Sequence, residues 1–86
     1  MANWKAMIST TMTDNNETLN DIVSNTLTEE QMNEEFYSHF GLIEGCAFTV
    51  WTKDYVYFPI CYDGAEWVGC VARNPNGLPT QHQGGG

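Results

Sequence analysis

Three cysteines, two histidines and a run of carboxylates are the residues of this chain that could do chemistry. Cys46, Cys61 and Cys70 with His39 or His82 would make a thiolate metal site. Their spacing, Cys-x14-Cys-x8-Cys, lacks the Cys-x2-Cys pair that chelates from a single turn. Small buried hydrophobes are the simpler reading, with reduced thiols and no bound metal. His39 could act as a general base oriented by Glu35 one turn earlier. A histidine in the last turn of a helix is more often a dipole-stabilised cation paired with that glutamate, and this is the preferred reading. Ser38 cannot join it as a nucleophile, because adjacent helical residues point about 100° apart. Phosphate-binding loops, metalloprotease helices and nucleophile elbows are missing from the sequence. The expectation is a protein without catalytic residues or cofactor.

The carboxylates are better organised than the thiols. Eleven acids against three bases leave a net charge of −8. Residues 1–45 carry eight of the acids and only Lys5, a net −7. Such a field repels nucleic acid and anionic lipid and favours basic partners. It also confers solubility, which is the bland explanation. Glu30 and Glu34 fall one helical turn apart, with Cβ atoms about 5–6 Å from each other. Together with Glu35, Asp21 and Glu17 they form a row that could imitate spaced phosphates.

The elements that must position these groups follow from periodicity. Trp4, Ala6, Ile8, Thr10 and Met12 alternate with Lys5, Met7, Ser9 and Thr11, which predicts a first strand over 3–12. Asp14 and Glu17 have capping-box spacing, and Leu19, Ile22 and Val23 suggest a helix over 15–25. Thr28 and Gln31 form a second capping box, with Glu29 and Glu30 suited to the helix N-terminus. Met32, Phe36 and Phe40 then continue a stripe that ends at Gly41, predicting a helix over 29–40. Leu27 is placed to staple onto Met32.

Gly45 to Arg73 holds two of the three Trp, all the Cys and most of the aromatic area. Lys53-Asp54 and Asp63-Gly64 divide it into three apolar runs, a meander over 46–52, 55–62 and 66–72. Two-residue loops would pair Val50 with Tyr57 and Tyr57 with Cys70. One face then carries Cys46, Phe48, Val50, Tyr55, Tyr57, Pro59, Cys61, Val68 and Cys70. The other carries Trp51, Val56, Phe58, Ile60, Tyr62, Trp67 and Val71. Both faces are apolar, so the one the helices leave open should meet a strand, a second copy or a partner. Pro59 lacks the N–H that a middle strand donates, which suggests a bulge at Phe58–Pro59.

The expected architecture is α+β, β-α-α-β-β-β, with two helices on an antiparallel sheet of three or four strands. Residues 1–75 form one domain and 76–86, rich in turn residues and ending in three glycines, a flexible tail. The start has no long apolar stretch, so neither a signal peptide nor a membrane span is expected.

In general character, tiny, acidic, aromatic-rich and without catalytic motifs, the chain resembles phage-encoded inhibitors of host or defence machinery such as anti-CRISPR proteins. That resemblance implies stoichiometric inhibition in the host cytoplasm. The implied partner is a larger basic protein or nucleoprotein complex whose nucleic-acid-binding surface is occupied, with no direct contact to nucleic acid. The partner-binding candidates are Glu30, Glu34, Glu35 and Asp21 on the acidic side, and Trp51, Tyr55 and Tyr57 on the sheet. The alternative is an assembly protein that forms a homodimer through an apolar sheet face.

Overall fold

The computed structural model describes residues 2–36, 45–62 and 64–83. The fold is α+β. A four-stranded antiparallel sheet has the order β1 (Ser24–Asn25), β2 (Val50–Trp51), β3 (Tyr55–Tyr62), β4 (Ala65–Ala72). Two helices, α1 (Trp4–Asp14) and α2 (Glu29–Asn33), accompany it.

The first segment is a helix, not the strand over 3–12 that its alternation suggests. Trp4, Ile8 and Met12 satisfy period two, but they also stand four apart, and a helix brings them onto one stripe. They are buried while Ala6 and Thr10 are exposed. Asn3 caps the start by accepting the Ala6 N–H at 2.8 Å. Thr10, Thr11 and Thr13 donate their hydroxyls to the carbonyls of Ala6, Met7 and Ser9, which accommodates them within the helix.

The C-terminus of α1 is a Schellman motif. Asn16 takes φ 59°, its N–H reaches Thr13 O, and the Glu17 N–H reaches Met12 O. This turn replaces the expected Asp14–Glu17 capping box and stops any helix from starting at 15. The box lies at Thr18, whose N–H is accepted by Asp21 at 2.8 Å. It opens only a 3₁₀ turn, Leu19–Asp21, and the chain then pairs as β1 with β2. The fourth strand of the sheet is therefore Ser24–Asn25 rather than the N-terminal segment.

The capping box at Thr28 and Gln31 is present in both directions, at 2.9 and 3.1 Å. The helix it starts is shorter than 29–40: Glu34 is already extended, and Phe36 bridges Ala2 through two backbone bonds of 2.8 Å. Met32 and Phe36 are both buried without sharing a helix, since an extended chain carries Phe36 onto Trp4. The expectations for Tyr37 to Glu44, including Ser38, His39 and Phe40, fall outside the described residues.

The meander has the registers that two-residue loops dictate: Val50↔Tyr57, Tyr57↔Cys70 and Cys61↔Glu66. Of the expected 46–52 strand only Val50–Trp51 pairs. At the Lys53-Asp54 loop, Thr52 Oγ1 accepts the Tyr55 N–H at 3.0 Å, and the Arg73 guanidinium donates to Thr52 O at 3.0 Å. Gly64 supplies a positive φ of 86° for the second loop.

Pro59 needs no bulge, because β3 and β4 stay in register through Pro59↔Val68. The Thr52 N–H to Tyr55 O bond sets which residues of β3 face β2. By that alternation the proline nitrogen points toward a position before Val50, where β2 has not yet begun.

The inner sheet face carries Val50, Tyr57 and Val68, and with Phe48 it meets Trp4, Ile8 and Met12 of α1, with Leu27, Met32 and Phe36 completing the core. Ile8 is fully buried. Ile8→Ala should therefore cost about 2–5 kcal/mol, while Thr10→Ala on the outer side should change stability by about 0.5 kcal/mol or less. Urea unfolding of both variants checks this; a strand over 3–12 would make the two costs similar, since Ile8 and Thr10 would share a face.

Candidate functional site: an acidic surface and an open sheet face

The structure divides the carboxylates into two groups. Glu17 and Glu66 turn inward. Tyr57 donates its hydroxyl to Glu17 Oε1 at 2.6 Å, and Thr52 donates to the same oxygen at 3.0 Å. Asn15 donates to the Tyr57 oxygen at 3.1 Å and to Cys70 Sγ at 3.4 Å. This cluster ties the end of α1 to β3 and β4. Glu66, 4% exposed, accepts the Gly45 N–H with both oxygens at 3.0 and 3.1 Å. The two acids stabilise the fold and leave the acidic surface poorer by two charges.

Tyr57 is fully buried, so its assignment as a partner-binding residue is corrected: no partner reaches it. Desolvation by its surroundings, then the hydrogen bond to Glu17, holds its phenol well above the ordinary value of 10.0. Tyr55 is half-buried beside it, with ring centroids 6.3 Å apart.

Asp14, Asp21, Glu29, Glu30, Glu34 and Glu35 are exposed. Asp21 also serves the Thr18 turn. Glu29 meets Lys5 at 3.4 Å in a solvent-exposed pair, of a kind that contributes little. Glu30 sits in the first turn of α2 and Glu34 at its C-cap. The row on one helix face does not form as expected, because the backbone is already extended at Glu34 and Glu35 lies past the helix end.

The outer sheet face is the second surface. Trp51 pairs with Val56, Val56 with Val71, and Ile60 with Trp67, all half-exposed. Phe58 lies opposite Gly69, where a Cβ would collide with Ile60 Cδ1 and lie 3.0 Å from Phe58 Cε1. Both side chains fold over the glycine and make the strip continuous. Trp51 stands at its β2 end; Tyr55 and Tyr57 belong to the inner face.

The thiols of Cys46, Cys61 and Cys70 are free, and Cys61 is exposed. Among the described residues no three His, Cys, Asp or Glu side chains converge on a point. No helix among them is long and apolar enough to cross a membrane. Sequence reasoning missed the inward roles of Glu17, Thr52 and Glu66. The register carried a signal for Glu66, since it shares the inner face with Val68 and Cys70.

No family model, no curated protein and no solved structure matches the chain.

The raised Tyr57 phenol makes a pH prediction with a definite sign. The folded state favours the protonated form, so the stabilisation is complete below about pH 10 and is lost as pH rises above it. One of the four tyrosines should stay un-ionised until the fold is lost in an absorbance titration. Tyr57→Phe should remove that lagging step and destabilise by about 1–3 kcal/mol at neutral pH, through loss of the hydroxyl's bond to Glu17 and of the acceptor for Asn15.

Proposed function

We propose that this chain is a non-catalytic inhibitor that binds a basic, nucleic-acid-binding surface of a larger protein or nucleoprotein complex in a host cell. In this it would act as anti-CRISPR-like proteins do. The observation that supports the reading is the concentration of exposed carboxylates between Asp14 and Glu35, a stretch that holds no basic residue. Carboxylates free of internal partners, such as Glu30, keep their charge available to lysine and arginine side chains of a partner. Charges of this kind steer association and contribute most where docking removes water from them.

A second reading has its own observation. The outer strip of Trp51, Val56, Phe58, Ile60, Trp67 and Val71 is uncharged and half-exposed. That suits an assembly role through an apolar sheet face.

The two separate by mutation and salt. Glu30→Lys with Glu34→Lys should leave the fold intact, since both residues are exposed and neither joins the core. Capture from host lysate with the wild type identifies the basic partner. Against it, the double variant should bind at least about tenfold more weakly, roughly 1.4 kcal/mol, and the difference should shrink at high salt. Unchanged binding of this variant together with collapse in Trp51→Ala would replace the electrostatic reading with the apolar one. Tyr57→Ala is unsuitable for the comparison, because it empties the core.

A further inference from the structure

The outer edge of β4 is the longest open row of backbone groups among the described residues. The Arg73 N–H donates to Asp54 O at 2.8 Å, which fixes the alternation along β3 and β4. Trp67, Gly69 and Val71 exchange their hydrogen bonds with β3. The N–H and C=O groups of Val68, Cys70 and Ala72 therefore point away from the sheet. Thr11 reaches Val68 O at 3.5 Å, and no other described group bonds these outward atoms. The strand has no proline and no bulge, and its one charge, Glu66, is buried. Charge, proline and bulging are the usual means by which an edge is kept from pairing.

The C-terminal segment lies against this edge without pairing to it. Leu78 and Pro79 border a cleft of about 220 Å³ with Tyr55, Cys70 and Ala72. The Gln83 side-chain oxygen lies 3.0 Å from where a Gly69 Cβ would stand. The hydrogen bonds of the segment are local, Leu78 N–H to Asn76 Oδ1 and Gln83 Nε2 to Gln81 O. Leu78 is 74% exposed.

We propose that the edge of β4 is a strand-pairing surface for β4 of a second copy of this chain. Residues 75–83 are the strap that leaves the edge when the two strands meet. A two-fold axis at Gly69 places Val68 opposite Cys70 of the second copy and Glu66 opposite its Ala72. No carboxylate then faces a carboxylate across the seam, and Trp67 meets Val71 on the outer face, which joins the two apolar strips. The pairing is isologous, so it closes at two copies and uses up both edges. A net charge of −8 on each copy opposes association at long range. Salt screens that repulsion, so pairing strengthens with ionic strength. This is the opposite of the salt response of binding to a basic partner, and the inference stands independently of the proposed function.

The test is amide hydrogen exchange with sedimentation on the full chain, from low micromolar to near-millimolar concentration, at low and high salt. The expected result is a dimer favoured by concentration and salt, with the Cys70 and Ala72 amides gaining about tenfold protection or more as it forms. Ala72→Pro removes only an outward N–H and should abolish both dimer and protection while leaving the monomer folded. A chain ending at Asn74 keeps every core residue and should dimerise more readily. Three results would each overturn the proposal: a monomer throughout even without the strap, a dimer in which the Cys70 and Ala72 amides stay unprotected, or a dimer that weakens with salt.

Discussion

The fold depends on the burial of Trp4. It is 1% exposed, its ring centroid lies 4.9 Å from that of Phe36 and 4.8 Å from that of Phe48, and its indole N–H donates to Cys46 O at 3.0 Å. One side chain thus joins the first turn of α1, the extended segment at Phe36 and the irregular stretch before β2. None of those pieces belongs to the long hairpin, and the two outside α1 lie in no named helix or strand. Tilted aromatic contacts add to the area each ring removes from water. Gly45 is a glycine for the same reason: a Cβ there would lie 2.6 Å from Trp4 Cζ2 and 2.9 Å from Phe36 Cζ.

The hairpin was legible because turn chemistry and alternation agree in it. Asp63-Gly64 fixed the β3–β4 register residue for residue, and the inner and outer faces followed. The N-terminal segment was misread because Trp4, Ile8 and Met12 fit periods of two and of four equally well. Only the intervening Ala6 and Thr10, which are exposed, separate the readings. The helix over 29–40 failed differently. Its start was marked by a true capping box, but Phe36 gains more from reaching Trp4 through an extended chain than from continuing the helix. Local signals set where elements begin; long-range burial decided where this one ended.

The acidic composition carries two meanings that sequence alone could not separate. Glu17 and Glu66 are structural, each held by donors drawn from distant parts of the chain, while Glu30, Glu34 and Glu35 have their charge directed to solvent. A charge count treats all of them alike. What sorts them is whether a register position or a turn brings hydroxyl and amide donors to the same place, and α1 had to be recognised as a helix before Glu17 could be placed beneath Tyr57.

The cluster that joins Asn15 and Glu17 to Tyr57 spans 42 and 40 residues of sequence. Its consequence is an order of events during synthesis. Helix α1 leaves the ribosome before β3, and the hydroxyl that anchors its C-terminal turn belongs to a residue about 40 positions later, roughly 2–8 s at ordinary elongation rates. During that interval the Trp4, Ile8 and Met12 stripe has no sheet to cover it. An eleven-residue helix is marginal in water without tertiary support. The apolar stripe of α1 therefore stays uncovered until the hairpin that buries it has been made.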